Sequence, residues 1–109
     1  MYVAHTVVSY GSINDWEFLL NEYVKEKDLK MKLILQDALS KTRDMNLLER
    51  FLNYQLNETI VNRQDCLNGI SYAVENIYGY YFTWNFVKKN WNKLYEKYKS
   101  KIIILIFCL

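Results

Sequence analysis

Proline is absent from this 109-residue chain, and glycine occurs only at positions 11, 69 and 79. An all-β sandwich or barrel needs turn residues every ~8–12 positions, and this sequence does not supply them. Histidine occurs once, as His5. A zinc hydrolase site of the H-E-x-x-H type needs two histidines one helical turn apart, so that both imidazoles reach one ion. A site built on histidine pairs is therefore excluded, and His5 reads as a helix-surface or partly buried residue. Two cysteines, Cys66 and Cys108, are too few for a disulfide framework. They leave the redox compartment open. No G-x-S-x-G elbow or phosphate-cradling glycine loop is present. The net charge of +2 implies no strongly charged partner. The amino terminus, Met1 to Thr6, lacks the basic region and apolar core of a signal peptide. The apolar run Ile102 to Leu109 falls far short of the ~20 residues of a membrane span. Exposed, that run would be prone to β-aggregation.

What is present argues for packed helices. Hydrophobic residues make up 51% of the chain and aromatics 17%, too much apolar surface for a disordered segment. The organising stretch runs from Arg63 to Tyr98. Cys66, Leu67, Ile70, Ala73, Val74 and Ile77 have the one-faced spacing of an amphipathic helix. Cys66 lies on that face, which makes it a small buried hydrophobe. After Gly79 a second series follows: Trp84, Val87, Trp91, Leu94, Tyr95 and Tyr98, with Asn and Lys residues between them. Two helices joined by a tight glycine turn lie antiparallel and bury those faces on each other.

The earlier chain follows the same scheme. Tyr2 to Tyr10 reads as a helix end closed by Gly11 in the left-handed position. Ser12 with Asp15 forms a capping-box-like start for a helix burying Trp16, Leu19, Leu20, Tyr23 and Val24. Lys27 to Leu39 carries Met31, Ile34, Leu35, Ala38 and Leu39, with a favourable Glu26–Lys30 pair. Asp44 caps a helix bearing Leu47, Leu48, Phe51, Leu52 and Leu56, and Asn57 to Asn62 is a short polar connection. Helices of this length with short links give antiparallel neighbours. The fold class expected is all-α, about six helices in antiparallel pairs stacked as a short HEAT-like α-solenoid.

Few residues here carry chemistry. Glu22 and Glu26 could share a helix face, but Lys25, Lys27 and Lys30 mark that face as solvated, unlike the buried pair that acid–base work needs. Lys88, Lys89, Lys93, Lys97, Lys99 and Lys101 interleave with Trp91, Tyr95 and Tyr98. Their periodicity sets lysines and aromatics on opposite faces, so no nucleic-acid partner is predicted. Asn57-Glu58-Thr59 is an N-glycosylation sequon in an exposed connection. Trp16, Trp84 and Trp91 read as core anchors.

Gly11 with Trp16-Glu17-Phe18-Leu19, Lys32 through Leu39, Leu47 through Leu52, Arg63-Gln64-Asp65, Gly79, and Trp84-Asn85-Phe86-Val87 through Asn90-Trp91 form an ordered string. The string resembles the C-terminal helical domain of the aminopeptidase N family of zinc aminopeptidases over residues 2–98. The resemblance implies an α-solenoid that closes over a catalytic domain elsewhere in the parent enzyme and can touch the far end of a peptide substrate. On it, residues 1–98 are a partial, non-catalytic domain and 99–109 a non-matching apolar tail. Zinc and the exopeptidase motif belong to the parent's upstream domains, which are the implied partners; no cofactor is held by this chain. Arg63, Gln64 and Asp65 are the candidate peptide contacts, with a capping or buried hydrogen-bonding role the competing reading for Asp65. The family's members are plasma-membrane-anchored, extracellular or in the endoplasmic-reticulum lumen. A free-standing helical scaffold for a protein partner is the alternative reading.

Overall fold

Three N-cap residues decide where the first helices begin. Ser12 Oγ accepts from Asp15 N–H while the Asp15 carboxylate accepts from Ser12 N–H, a reciprocal box that starts α1 (Ile13–Lys25). Asp28 accepts from Lys30 N–H to start α2 (Leu29–Leu39). Asp44 accepts from Asn46 N–H to start α3 (Met45–Gln55). Each cap satisfies an N–H that has no partner within its helix. A 3₁₀ turn, Arg63–Asp65, then leads into α4 (Cys66–Val74), followed by α5 (Tyr80–Lys89) and α6 (Trp91–Tyr98). The computed structural model describes residues 11–99 and 101–103, and no strand occurs among them. The chain is all-α. The expected helix end at Tyr2–Tyr10, His5, and residues 104–109 of the apolar run lie outside the described residues.

The shortest of these α-helices but one is the centre of the packing. α4 touches α2, α3 and α5, while α1 packs on α2, α3 on α5, and α6 on α5. Cys66, Gly69, Ile70 and Ala73 are buried along α4, and the small size of Cys66, Gly69 and Ala73 lets three neighbours approach. A Cβ on Gly69 would fall 2.0 Å from Gln55 Oε1 and 2.7 Å from Gln36 Nε2. One on Gly79, before α5, would meet Leu48 Cδ2 at 2.2 Å. Both glycines are there for close approach. Around them, Trp16, Leu39, Leu48, Phe51, Leu52, Ile70 and Leu94 are the large buried side chains, each worth about 1.5–3 kcal/mol on leaving water. Trp16 also donates its indole N–H to the Leu39 carbonyl at 3.1 Å, tying α1 to the end of α2.

Several expectations are corrected. The series from Trp84 to Tyr98 is not one helix: Asn90, at φ −106° and ψ 18°, separates α5 from α6. Its side-chain and backbone N–H groups both donate to the Phe86 carbonyl at 3.0 Å, closing α5. Thr83, Phe86 and Val87 before that break and Leu94 and Tyr98 after it take the core, and Tyr95 is exposed. Trp84 and Trp91 are half-buried against the core's edge, whereas Trp16 lies within it. Ile77 is 82% exposed because α4 ends at Val74 and Asn76 turns inward instead, donating to the Ser40 and Thr42 carbonyls at 2.9 and 2.7 Å. Val24 and Met31 are exposed, and Val61 in the polar connection is buried. The Glu26 carboxylate accepts from the Lys27 and Asp28 N–H groups at 3.1 Å rather than pairing with Lys30, which delays α2 to Leu29. Gly11 runs into the extended Ser12 cap.

Candidate functional site

The 3₁₀ turn Arg63–Asp65 is where distant parts of the chain meet, with Asp65 buried and Arg63 and Gln64 at the surface. Asp65 is buried, makes no side-chain cap, and offers its carbonyl to Gln36 Nε2 at 3.0 Å. The same Gln36 amide donates to Gln55 Oε1 at 2.7 Å, and Gln55 Nε2 donates back to Phe51 O at 2.9 Å. This amide chain links α2, α3 and the turn inside the core, where unpaired polar groups are costly. Sequence reading missed it, although Gln55 falls four residues after Phe51 and Gln36 three before Leu39, both on apolar faces.

Arg63 and Gln64 face outward onto an open cleft of about 510 Å³ that they share with Lys97, Tyr98, Lys99 and Lys101. Arg63 Nη2 donates to the Lys97 carbonyl at 2.9 Å, and the Tyr98 hydroxyl donates to the Arg63 carbonyl. These two bonds fasten the turn to the end of α6. Lys97 reaches Glu58 at 3.2 Å, and Lys99 lies 4.0 Å from Glu96. Lys99 is the one described non-glycine residue with positive φ (52°), so the end of α6 holds strain beside the cleft. Four cationic side chains around one opening favour an anionic group. Lys97 at the end of α6 and Lys99 and Lys101 beyond it, read from spacing as a solvated face, acquire this role only because the turn brings Arg63 to Lys97 from 34 residues away.

The other candidates carry no reactive chemistry. Burial pushes the Cys66 thiol up, against smaller opposing effects of the Tyr98 hydrogen bond and Lys97, so it is poorly suited to act as a nucleophile. Burial likewise raises Tyr98, with its bond to Cys66 adding to the shift. Tyr23 is pushed up to about 12, first by burial and then by the nearby Asp65 charge. Glu22 is exposed and Glu26 serves as a cap, so the two form no buried acid pair. Glu17 pairs instead with Arg50 at 3.0 Å across α1 and α3. Asn57, Glu58 and Thr59 are all exposed in the connection after α3. Among the described residues no group of three or more His, Cys, Asp or Glu could hold a metal ion, and no helix is long and apolar enough to cross a membrane.

Comparison with known proteins places this geometry in context. Residues 2–107 match the family model described as ERAP1-like C-terminal domain, a span that runs into the apolar C-terminal stretch. Aminopeptidase N of Bos taurus is 31% identical over 91 residues, 84% of this chain and 9% of that protein. Aminopeptidase N of Mus musculus is 30% identical over the same length. The thyrotropin-releasing hormone-degrading ectoenzyme of Rattus norvegicus is 34% identical over 99 residues, 91% of this chain and 9% of that protein. The chain thus spans about a tenth of the length of the curated relatives it matches.

Proposed function

The chain belongs to the ERAP1-like C-terminal domain family, and from that premise we propose that it is a non-catalytic helical piece of an aminopeptidase N-type zinc enzyme. In the parent it closes the peptide-binding cavity while residues are removed from a peptide's amino terminus. The observation that carries the reading is the family match along nearly the whole chain, set against its 9% share of each relative. The described residues offer no donor set that fits zinc. The metal and the bond-breaking groups are supplied by the parent's catalytic domains, which are this chain's partners. The ion's contribution there is that of a Lewis acid with a bound water.

What this chain's own residues contribute is shape and charge. Its helix pairs form part of a HEAT-like stack, and the exposed apolar side chains of Ile77, Tyr78 and Tyr81 at the start of α5 support docking on neighbouring parts of the parent. Closing such a cavity excludes water and holds the substrate in place. The far end of a peptide meets this domain at the cationic cleft, through Gln64, Lys97, Lys99 and Lys101, with Arg63 holding the turn in position. The parent faces outward from the cell, a reading supported by the ectoenzyme among its relatives.

The purified chain, supplied with zinc and a peptide, releases no amino-terminal residue and retains no stoichiometric zinc after dialysis. Zinc-dependent release by the chain alone would overturn the proposal.

A further inference from the structure

We propose that Asn57 is an acceptor site for an N-linked glycan; its occupancy in the natural protein rests on the outward-facing reading above. Asn57-Glu58-Thr59 is the one N-x-S/T sequon in the sequence, and all three residues are exposed. The Asn57 carbonyl accepts from the Ile60 and Val61 N–H groups at 3.0 Å, a tight turn. Val61, 1% exposed, anchors that turn in the core, which leaves Asn57 at the outer tip. The Asn57 side chain is already arranged for transfer: Oδ1 accepts from Thr59 N–H at 3.0 Å and from the Thr59 hydroxyl at 2.6 Å. Nδ2 has no partner among the described residues.

The hydroxyl bond withdraws charge onto Oδ1 and fixes the amide plane, so that Nδ2 is the atom presented. The donor is a lipid-pyrophosphate-linked oligosaccharide. A bond forms between Nδ2 and the anomeric carbon, the bond from that carbon to the pyrophosphate oxygen breaks, and lipid pyrophosphate leaves with the electron pair. One Nδ2 proton passes to a base of the transferase. The product keeps Oδ1 and one N–H, so both Thr59 bonds survive and the turn accepts the glycan without rearrangement. Glu58 of the same turn pairs with Lys97, which sets the glycan beside the edge of the cationic cleft.

The test is expression of the full chain behind a secretory leader in eukaryotic cells. A single glycoform is expected, collapsing to the bare chain after amidase treatment with conversion of Asn57 to Asp in the mass spectrum. Asn57→Gln and Thr59→Ala abolish it, and Thr59→Ser retains it. A wild-type chain without glycan, or a glycan that persists in Asn57→Gln, would overturn the site. The protein from its natural source separates the two readings: glycan at Asn57 there supports both. A bare Asn57 there, alongside modification of the leader-directed chain, refutes the outward-facing parent while the acceptor stands.

Discussion

The helices before the Arg63 turn and those after it are held by different means. α1, α2 and α3 each begin with a side-chain cap, from Ser12, Asp28 and Asp44. α4, α5 and α6 begin with none. What holds the second group is long-range: Asn76 bonds back to the α2–α3 connection, Tyr98 to Arg63, Arg63 to Lys97, and Gln36 to Asp65. Short helices of 8–10 residues are marginal in water and persist through packing. The first group has locally determined starts, and the second takes its limits from the rest of the fold.

The largest effect should come from removing the side chain that joins α1 to the core. Trp16→Ala leaves a cavity and an unpaired Leu39 carbonyl, and should cost about 3–5 kcal/mol in urea unfolding. Next is Gly69→Ala, which drives a methyl into the Gln36–Gln55 pair. We expect a loss of about 2–3 kcal/mol, although alanine is the better helix former. A stability gain from Gly69→Ala would erase the packing role assigned to α4.

Alkaline pH gives a third probe. Tyr23 is raised in the folded chain to about 12 from 10, so its neutral form is favoured by folding. That stabilisation is complete below pH 10 and is lost as pH rises through 12, by up to about 2 kcal/mol. Thermal melts from pH 9 to 12 should fall less steeply for Tyr23→Phe than for wild type, and parallel curves would contradict this. The smallest effect sharpens the contrast in helix starts: Asp44→Ala should cost about 1 kcal/mol, seen as a shifted denaturation midpoint with an unchanged slope.

The same contrast explains what could be read in advance. Two of the three caps are legible because a cap is a matter of three or four neighbouring residues: the Ser12–Asp15 box and Asp44 cap stand where spacing puts them, whereas Asp28 caps a helix expected to begin already at Lys27. The buried face of α4 is legible too, through Cys66, Ile70, Ala73 and Val74. The break at Asn90 is not, since helical spacing continues across it and only the carbonyl of Phe86, capped twice, ends the helix. Nor is the buried Gln36–Gln55 pair, whose partners lie 19 residues apart on different helices. The cationic cleft divides the same way. Arg63, Gln64 and Asp65 stand out as a polar trio, but Asp65 is buried away from the cleft and the lysines that complete the opening are recruited by tertiary contacts.

The central claim is that this helical piece completes an aminopeptidase whose reactive centre lies on other polypeptide. It is tested most directly by a chimera of aminopeptidase N in which the matched segment is replaced by residues 2–107. Its rate on a long peptide should stay near that of the parent, while deleting the segment lowers kcat/KM by about 100-fold or more through lost positioning. A folded chimera as inactive as the deletion would contradict the account.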